Sequence, residues 1–424
     1  MRAASAKPRI GSGLKNRMAA FIDHCGGRLF AVAVLVSCAA TAIFLAALSG
    51  PIFLLPASLF DAASEDLAAF YRAGQMALQG IAAKAYEPTS FRLGLGAEND
   101  ELLYLNPPYA LFFFQPLALM PYWVAKLFFL LATAVLLALI GWQVWPDTKI
   151  PAAAVLMLSP AAFYSLDYLQ LAPVFVLLIV AGLLVCKERP LLAGILLALA
   201  TIKPQYGLLV PVFLLGVRAW TAIICASCFT LALIAASAAF YGVELWAVFI
   251  HSLTEGAHSA HLNQVFPLMV SVDSSIGKLG ADPALRRLIQ GAAILLAAVI
   301  VYRTARAPNR RRAIGLTMLC IPLAAPSFAL YDWAFICAGL MMVMPAQQPH
   351  SSAFQAHAAH LWLFPLLYPF VNWAASAEQF AVLALYSACV PLLVAVVLAS
   401  LFLSGQGKPM TRVGASGSTV ETRP

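Results

Sequence analysis

The chain has 424 residues, 62% of them hydrophobic and only 10% charged, and its mean hydropathy is +0.87. A soluble protein of this length needs far more charged surface, so the composition excludes a water-soluble enzyme and indicates a polytopic membrane protein. The net charge of +8 would suit a nucleic-acid partner only if the basic residues formed a patch. Their placement along the chain argues otherwise.

The first 28 residues are basic but too long and polar for a cleaved signal, and 29–50 is long enough to span. The first segment is therefore expected as a cytoplasmic N-terminus (1–28) and the second as an uncleaved anchor. Further apolar runs follow at 107–143, 150–166, 170–186, 190–202, 204–217, 220–241, 288–303, 313–328, 333–345, 358–374 and 379–403. They lack alternation, which favours helices over an outer-membrane barrel. The run 107–143 is long enough for a short re-entrant helix ending near Pro121 and then a full span. The expected fold is an all-α transmembrane bundle of about 10–13 membrane helices. It forms one domain over 29–403, with outer loops at 51–106 and 242–287. The tail 404–424, rich in Gly, Ser and Thr, is expected to be disordered and cytoplasmic, and the N-terminal end is expected to be disordered too.

Charge sets the orientation. With the N-terminus inside and twelve spans alternating, the cytoplasmic segments hold 18 of the 26 Lys and Arg, among them Lys187, Arg189, Arg218 and five between Arg303 and Arg312. Their acids are only Asp23, Asp147, Glu188 and Glu421. The other side receives 8 basic and 14 acidic residues, a net −6 against +14. This is a strong positive-inside pattern. The surplus of cations is an orientation signal, and no nucleic-acid partner is expected.

The same topology collects the unusual polar residues on the outer face: Asp66 and Arg72 in the first loop, Asp167, Tyr168 and Gln170 at the second turn, Lys203 at the third, and Tyr331-Asp332 later. Asp66, Phe70, Tyr71 and Gly74 have roughly helical spacing, which predicts an interfacial helix with Leu67 and Met76 available to the membrane. A carboxylate at the lip of an apolar slab is costly to desolvate, so Asp66 is either a functional acid or a solvated cap. Lys203, between two apolar runs and followed by Pro204-Gln205-Tyr206, must snorkel, pair or bind an anion. Asp332 either positions a partner or caps the next helix. Asn106-Pro107-Pro108-Tyr109 opens the second apolar run, where proline suits a helix start. Gln170 caps a span and has backbone groups within reach.

Other patterns carry less. Cys225-Ala-Ser-Cys228 has redox or zinc spacing but sits inside a span without further ligands, and His251, His258 and His261 fall in the second large loop without a carboxylate at metal spacing. No cofactor and no divalent metal is expected. A phosphate-cradling Gly-rich loop and a G-x-S-x-G elbow are both missing, so ATP-driven transport and serine hydrolysis lack support.

Several segments in order resemble the membrane-embedded glycosyltransferases of family 87. They are Asp66-Leu67-Ala68-Ala69-Phe70-Tyr71 with Ala85-Tyr86, Asn106-Pro107-Pro108 with Pro116-Leu117, Tyr168-Leu169-Gln170, the run Ala193 to Gln205 through Lys203-Pro204, and Pro326…Tyr331-Asp332. The resemblance implies a GT-C-like architecture and an outer-facing cavity. It also implies a polyprenyl-phosphate sugar as donor, a lipid or envelope-glycan acceptor, and the bacterial inner membrane with the active face toward the periplasm. It makes Asp66 the expected general base of an inverting hexosyl transfer, mannose favoured. Lys203 and then Arg72 would face the donor phosphate, and Tyr71, Asn106, Gln170, Gln205, Tyr331 and Asp332 would bind substrate. Tyr86, Tyr109 and Trp333 are further sugar-facing candidates. The chain departs from the family pattern where Leu169 stands in place of a common glycine, and where Tyr331-Asp332 replaces the Trp and His that mannosyltransferase members often carry. A transporter or lipid-sugar flippase is the alternative, although polar residues gather at one face and no internal repeat is evident. A non-catalytic scaffold is a third reading.

Overall fold

The computed structural model describes residues 18–23, 25–52, 66–93, 95, 102–146, 149–254, 268–345, 350–368, 371 and 380–404. The expectations for residues 1–17 and 405–424, for residues 53–65 of the first loop, and for His258 and His261 lie outside the described residues, whereas 18–23, within the end expected to be disordered, are helical. Among those described, helices account for nearly all regular structure, and the one β contact is an isolated antiparallel bridge between Met269 and Ala329.

The helices are α1 (Arg28–Ile52), α2 (Asp66–Leu78), α3 (Leu111–Ala118), α4 (Tyr122–Val144), α5 (Lys149–Met157), α6 (Pro160–Asp167), α7 (Ala172–Val185), α8 (Pro190–Ala200) and α9 (Val210–Gly216). They continue as α10 (Trp220–Tyr241), α11 (Glu244–Thr254), α12 (Val272–Lys278), α13 (Pro283–Ala305), α14 (Arg310–Ala324), α15 (Ala334–Val343), α16 (Ser352–Leu363) and α17 (Phe380–Ser404). Four of them, α4, α10, α13 and α17, contain apolar stretches long enough to cross a membrane alone. The protein is all-α and polytopic.

Proline and small polar caps explain where elements begin. Pro160, Pro190 and Pro283 stand in the first turns of α6, α8 and α13, where the missing N–H removes nothing from the helix. Ser159 accepts the Ala162 N–H at 3.4 Å and Asp282 the Ala284 N–H at 2.7 Å. The expected run 107–143 does divide at Pro121, into α3 and the full-length α4. The run 150–166 is broken at Ser159-Pro160 into α5 and α6. The run 204–217 opens with a 3₁₀ turn, Pro204–Gly207, leaving only α9 as α-helix. A proline has no N–H to donate to the helix ladder, so each of these apolar runs yields two shorter pieces.

Burial separates the centre from the rim. Helices α14 and α15 pack on each other and bury almost every side chain. By contrast, only 6% of the apolar window of α10 is fully buried, and its exposed apolar side chains suit a surface that faces lipid. In water such a helix would be amphipathic; here the solvent is apolar too, and an all-apolar perimeter costs nothing. Helix α2 lies against α3, with Phe70 stacked on Phe114 at 4.7 Å and 9°. Leu67 and Met76, expected to touch membrane, are instead buried in protein. Gly74 permits the approach, since a Cβ there would fall 2.4 Å from the Phe114 carbonyl oxygen.

Candidate functional site

Four chain segments converge at one end of the bundle: the first turn of α2, the turn after α6, the 3₁₀ turn after α8, and the 3₁₀ turn Leu330–Asp332 between α14 and α15. A backbone bond registers the first two, because the Asp66 N–H donates to the Tyr168 carbonyl at 3.3 Å. Ser165 Oγ donates to the Tyr331 carbonyl at 3.5 Å, and the rings of Tyr168 and Tyr331 lie 5.8 Å apart, which joins the second segment to the fourth.

The turn after α6 is made by a residue in an unusual conformation. Leu169 has φ +46°, in the left-handed region that glycine adopts freely, and it lets the Gln170 N–H reach back to the Ser165 carbonyl at 3.0 Å. Gln170 is thereby turned inward and buried. Its Nε2 donates to Asp66 Oδ2, and its Oε1 accepts from Lys203 Nζ at 3.1 Å. This is the only amide orientation that both partners allow, since an ammonium must donate and a carboxylate must accept. The result is a relay in which one neutral amide stands between an acid and a base.

Lys203 is further seated over two aromatic faces, Tyr206 at 5.8 Å and Tyr331 at 6.0 Å. Buried Asp332 accepts the Ala329 N–H through Oδ2 at 2.9 Å, so the capping expectation holds for one oxygen. Its Oδ1 is buried without a well-aligned partner, although the Tyr206 hydroxyl stands beside the carboxylate. A buried acceptor left open in this way is suited to a ligand hydroxyl. Burial pushes the carboxyl of Asp66, which lies outside the spanning helices, up to about 6 against the pull of Lys203. Burial does the same to Asp332, again to about 6, with Lys203 and Tyr206 opposing. Two carboxyls thus share one ammonium, and each holds its proton closer to neutrality than a free aspartate does.

Of the residues expected at the site, Asp66, Gln170, Lys203, Tyr331 and Asp332 come together. Gln205, half-buried, sits in the same turn as Lys203. Arg72 does not join them. Six residues after Asp66, it faces another side of α2 and donates to the Leu93 carbonyl at 2.7 Å. Tyr71 is tied to the Met120 carbonyl at 2.7 Å, against Tyr122. Buried Asn106 accepts from Tyr86 at 2.9 Å through its carbonyl, and Tyr109 donates to Thr201 Oγ1 at 2.9 Å. Trp333 stacks on Phe364 inside the core. Tyr86, Tyr109 and Trp333 are buried and brace the loop and the core, whereas Tyr71 is half-buried. Tyr206 is the site residue missed by the sequence reading. Its only cue is a place three residues after Lys203, which a 3₁₀ turn converts into stacking beneath the ammonium.

Cys225 and Cys228 lie on one helix, α10, as free thiols. An apolar groove of about 410 Å³ runs between α8, α9 and α10, lined by Ala200, Thr201, Gly207, Val210, Leu214 and Ile223 among others. Its upper rim, at Thr201 and Gly207, flanks Lys203 in sequence, and its α10 wall belongs to the lipid-facing perimeter.

An all-α bundle that gathers a buried acid–amide–ammonium relay at one end, and carries an apolar groove, defines a multi-pass membrane protein with a polar site at its edge. The sequence profile of glycosyltransferase family 87 matches residues 104–326, just over half of the chain, and the protein belongs to that family. It is a membrane glycosyltransferase. The matched stretch holds Gln170, Lys203 and Tyr206, while Asp66, Tyr331 and Asp332 lie outside it and are joined to it by the contacts above. No curated protein and no solved structure matches the chain.

Proposed function

We propose that the protein transfers a hexose, mannose first among the candidates, from a polyprenyl-phosphate sugar to a hydroxyl of a lipid or envelope-glycan acceptor, with inversion, on the periplasmic face of a bacterial inner membrane. The observation that supports this best is the Asp66–Gln170–Lys203 relay, with an apolar groove whose rim flanks Lys203 in sequence. A donor with a single lipid chain could lie in that groove with its phosphate near Lys203. Asp66 would take the proton from the acceptor hydroxyl as that oxygen attacks the anomeric carbon. The bond from that carbon to the phosphate oxygen breaks, and Lys203 receives the charge that develops on the leaving phosphate. Asp332, whose buried Oδ1 lacks a well-aligned partner, would hold a sugar or acceptor hydroxyl.

The test is Asp66→Asn in purified protein, given labelled polyprenyl-phosphate sugars and a native lipid extract, with product scored by mass. Transfer should fall by about 10²–10⁴-fold, the usual worth of a general base, with thermal stability retained. Transfer at the wild-type rate would remove Asp66 as base. Activity with nucleotide sugars and none with any lipid-phosphate sugar would overturn the donor class.

A further inference from the structure

The end of the bundle remote from Asp66 carries a second built feature. Helix α7 begins two residues after Gln170 and ends two before Lys187, which separates them by about 21 Å of helix. There Lys187, Arg218, Arg306 and Arg310 line a concavity of about 680 Å³, together with Gly216 and the 305–308 turn. A smaller one of about 320 Å³ shares Lys187 and Arg218 and adds Trp220 and Thr221. Among the described residues, Glu188 is the one carboxylate that pairs with any of the four cations, reaching Arg310 at 2.8 Å. Arg306 lies over the Tyr302 ring at 5.6 Å.

The scaffold is specific. A Cβ on Gly216 would sit 2.7 Å from Ala305 Cβ and 3.0 Å from the Tyr302 carbonyl oxygen, so the ends of α9 and α13 abut and bring Arg218 and Arg306 to one concavity. Arg218 ends α9 in the left-handed region, at φ +57°. Its N–H bonds to the Leu215 carbonyl at 3.1 Å, and the Ala219 N–H to that of Leu214 at 2.9 Å. Glycine normally fills this position of a helix stop because it carries no Cβ. Arginine accepts the steric cost although its side chain is exposed and gains no burial. What the position gains is a guanidinium over the concavity.

We infer that this concavity binds the phosphate of an anionic phospholipid headgroup. The surroundings favour a lipid over a soluble phosphate. Trp220 is 59% exposed and Tyr302 42%, two aromatics at the level where a membrane meets water. Beyond Trp220 the flank of α10 continues with exposed Ile224 and Leu231, which gives acyl chains an apolar surface to follow. Four cations against one carboxylate then favour anionic over zwitterionic headgroups.

The full chain, purified in detergent and delipidated, is titrated with phosphatidylglycerol or phosphatidylethanolamine and read by native mass spectrometry, with glycerol phosphate as soluble competitor. Phosphatidylglycerol should be retained over phosphatidylethanolamine and resist the competitor. Arg218→Gly should weaken retention about tenfold, the loss of one charge-assisted bond, with a melting temperature equal to or above wild type because glycine relieves the turn. Arg306→Ala should weaken it comparably. Equal retention by Arg218→Gly, or displacement by glycerol phosphate, overturns the proposal. A fall in melting temperature with Arg218→Gly makes the arginine structural and overturns it too. Lipid retention is read without sugar transfer, so this result is independent of the proposed reaction.

Discussion

Gln170 is the sharpest point at which to perturb the site, because it both connects Asp66 to Lys203 and keeps them apart. A hydrogen bond to a charged partner contributes about 1.5–3 kcal/mol, so severing both removes about 3–6 kcal/mol of positioning if neither charge finds a new partner. Two replacements send the charges to different places. Gln170→Leu keeps most of the bulk, so the ammonium stays away while the carboxylate loses a donor that favours its ionised form. The acid limb of the pH–rate profile should then rise above the value of about 6 expected for Asp66. Gln170→Ala opens the gap, lets Lys203 close on Asp66, and should lower that limb, since an adjacent cation favours the carboxylate. Both should lose about 10²–10³-fold in rate, the scale of one misplaced electrostatic group.

The assay is initial-rate sugar transfer from pH 4.5 to 8 for the three proteins, with melting temperature followed in parallel. A merely structural glutamine would lower stability and rate without moving the limb. Limbs that coincide with wild type in both variants refute the relay. Limbs that move in the same direction refute the spacer argument while leaving the bonds themselves intact.

Other outcomes follow from the same geometry. Asp66 and Asp332, raised by burial to about 6, bind more protons folded than unfolded in the window up to that value, so their contribution to stability is full below the unfolded value and is lost as pH rises through the folded one. Activity that needs ionised Asp66 runs the other way: between pH 4.5 and 6.5 transfer should rise while these two groups lower the melting temperature, and parallel rises would contradict the assignment. Gly74→Ala places a Cβ 2.4 Å from a backbone oxygen of α3, and α2 must retreat. Such overpacking costs about 1–3 kcal/mol, and a displacement near 1 Å at Asp66 costs on the order of 10²-fold in rate; wild-type rate and melting temperature would show that α2 does not hold the acid. Leu169→Gly relieves about 1–2 kcal/mol of left-handed strain but deletes a buried leucine worth about 2–5 kcal/mol. The protein should melt lower by thermal unfolding, yet keep the pH profile of wild type.

Much of the site was legible because charged and amide groups are conspicuous in an apolar chain. Asp66, Gln170, Lys203 and Asp332 each stood at a turn on the same expected face, and the fold bonds the first three together and sets Asp332 within electrostatic reach of Lys203. Arg72 shared their loop but not their side of the helix. The aromatic residues were harder to place. In water, polar neighbours reveal which face of a helix is buried, whereas lipid and core are equally apolar and leave no contrast to read. Trp333 and Tyr109, expected to face a sugar, are interior residues, and Tyr206 passed unnoticed although it lies beneath Lys203. The division of apolar runs by proline was readable at Pro121. At Ser159-Pro160 it was not anticipated, because a proline near the end of a run also suits the start of a single helix; at Pro204 the break between runs was expected and the 3₁₀ turn that opens the second run was not.

Leu169 bears on how far the family resemblance carries. A leucine where the family resemblance implies a glycine could have displaced the amide that follows. The backbone shows that it has not: the residue adopts the conformation a glycine would take, the Gln170 N–H still closes on Ser165, and the leucine side chain is buried at the joint. Burial of an apolar side chain offsets the strain, so the turn keeps its shape with a different residue in it. Arg218 makes the same helix stop at the other end of the bundle with no burial to offset it. The two positions therefore share a backbone conformation but need different explanations. At Leu169 packing suffices, whereas at Arg218 the explanation we propose is the headgroup contact of its guanidinium.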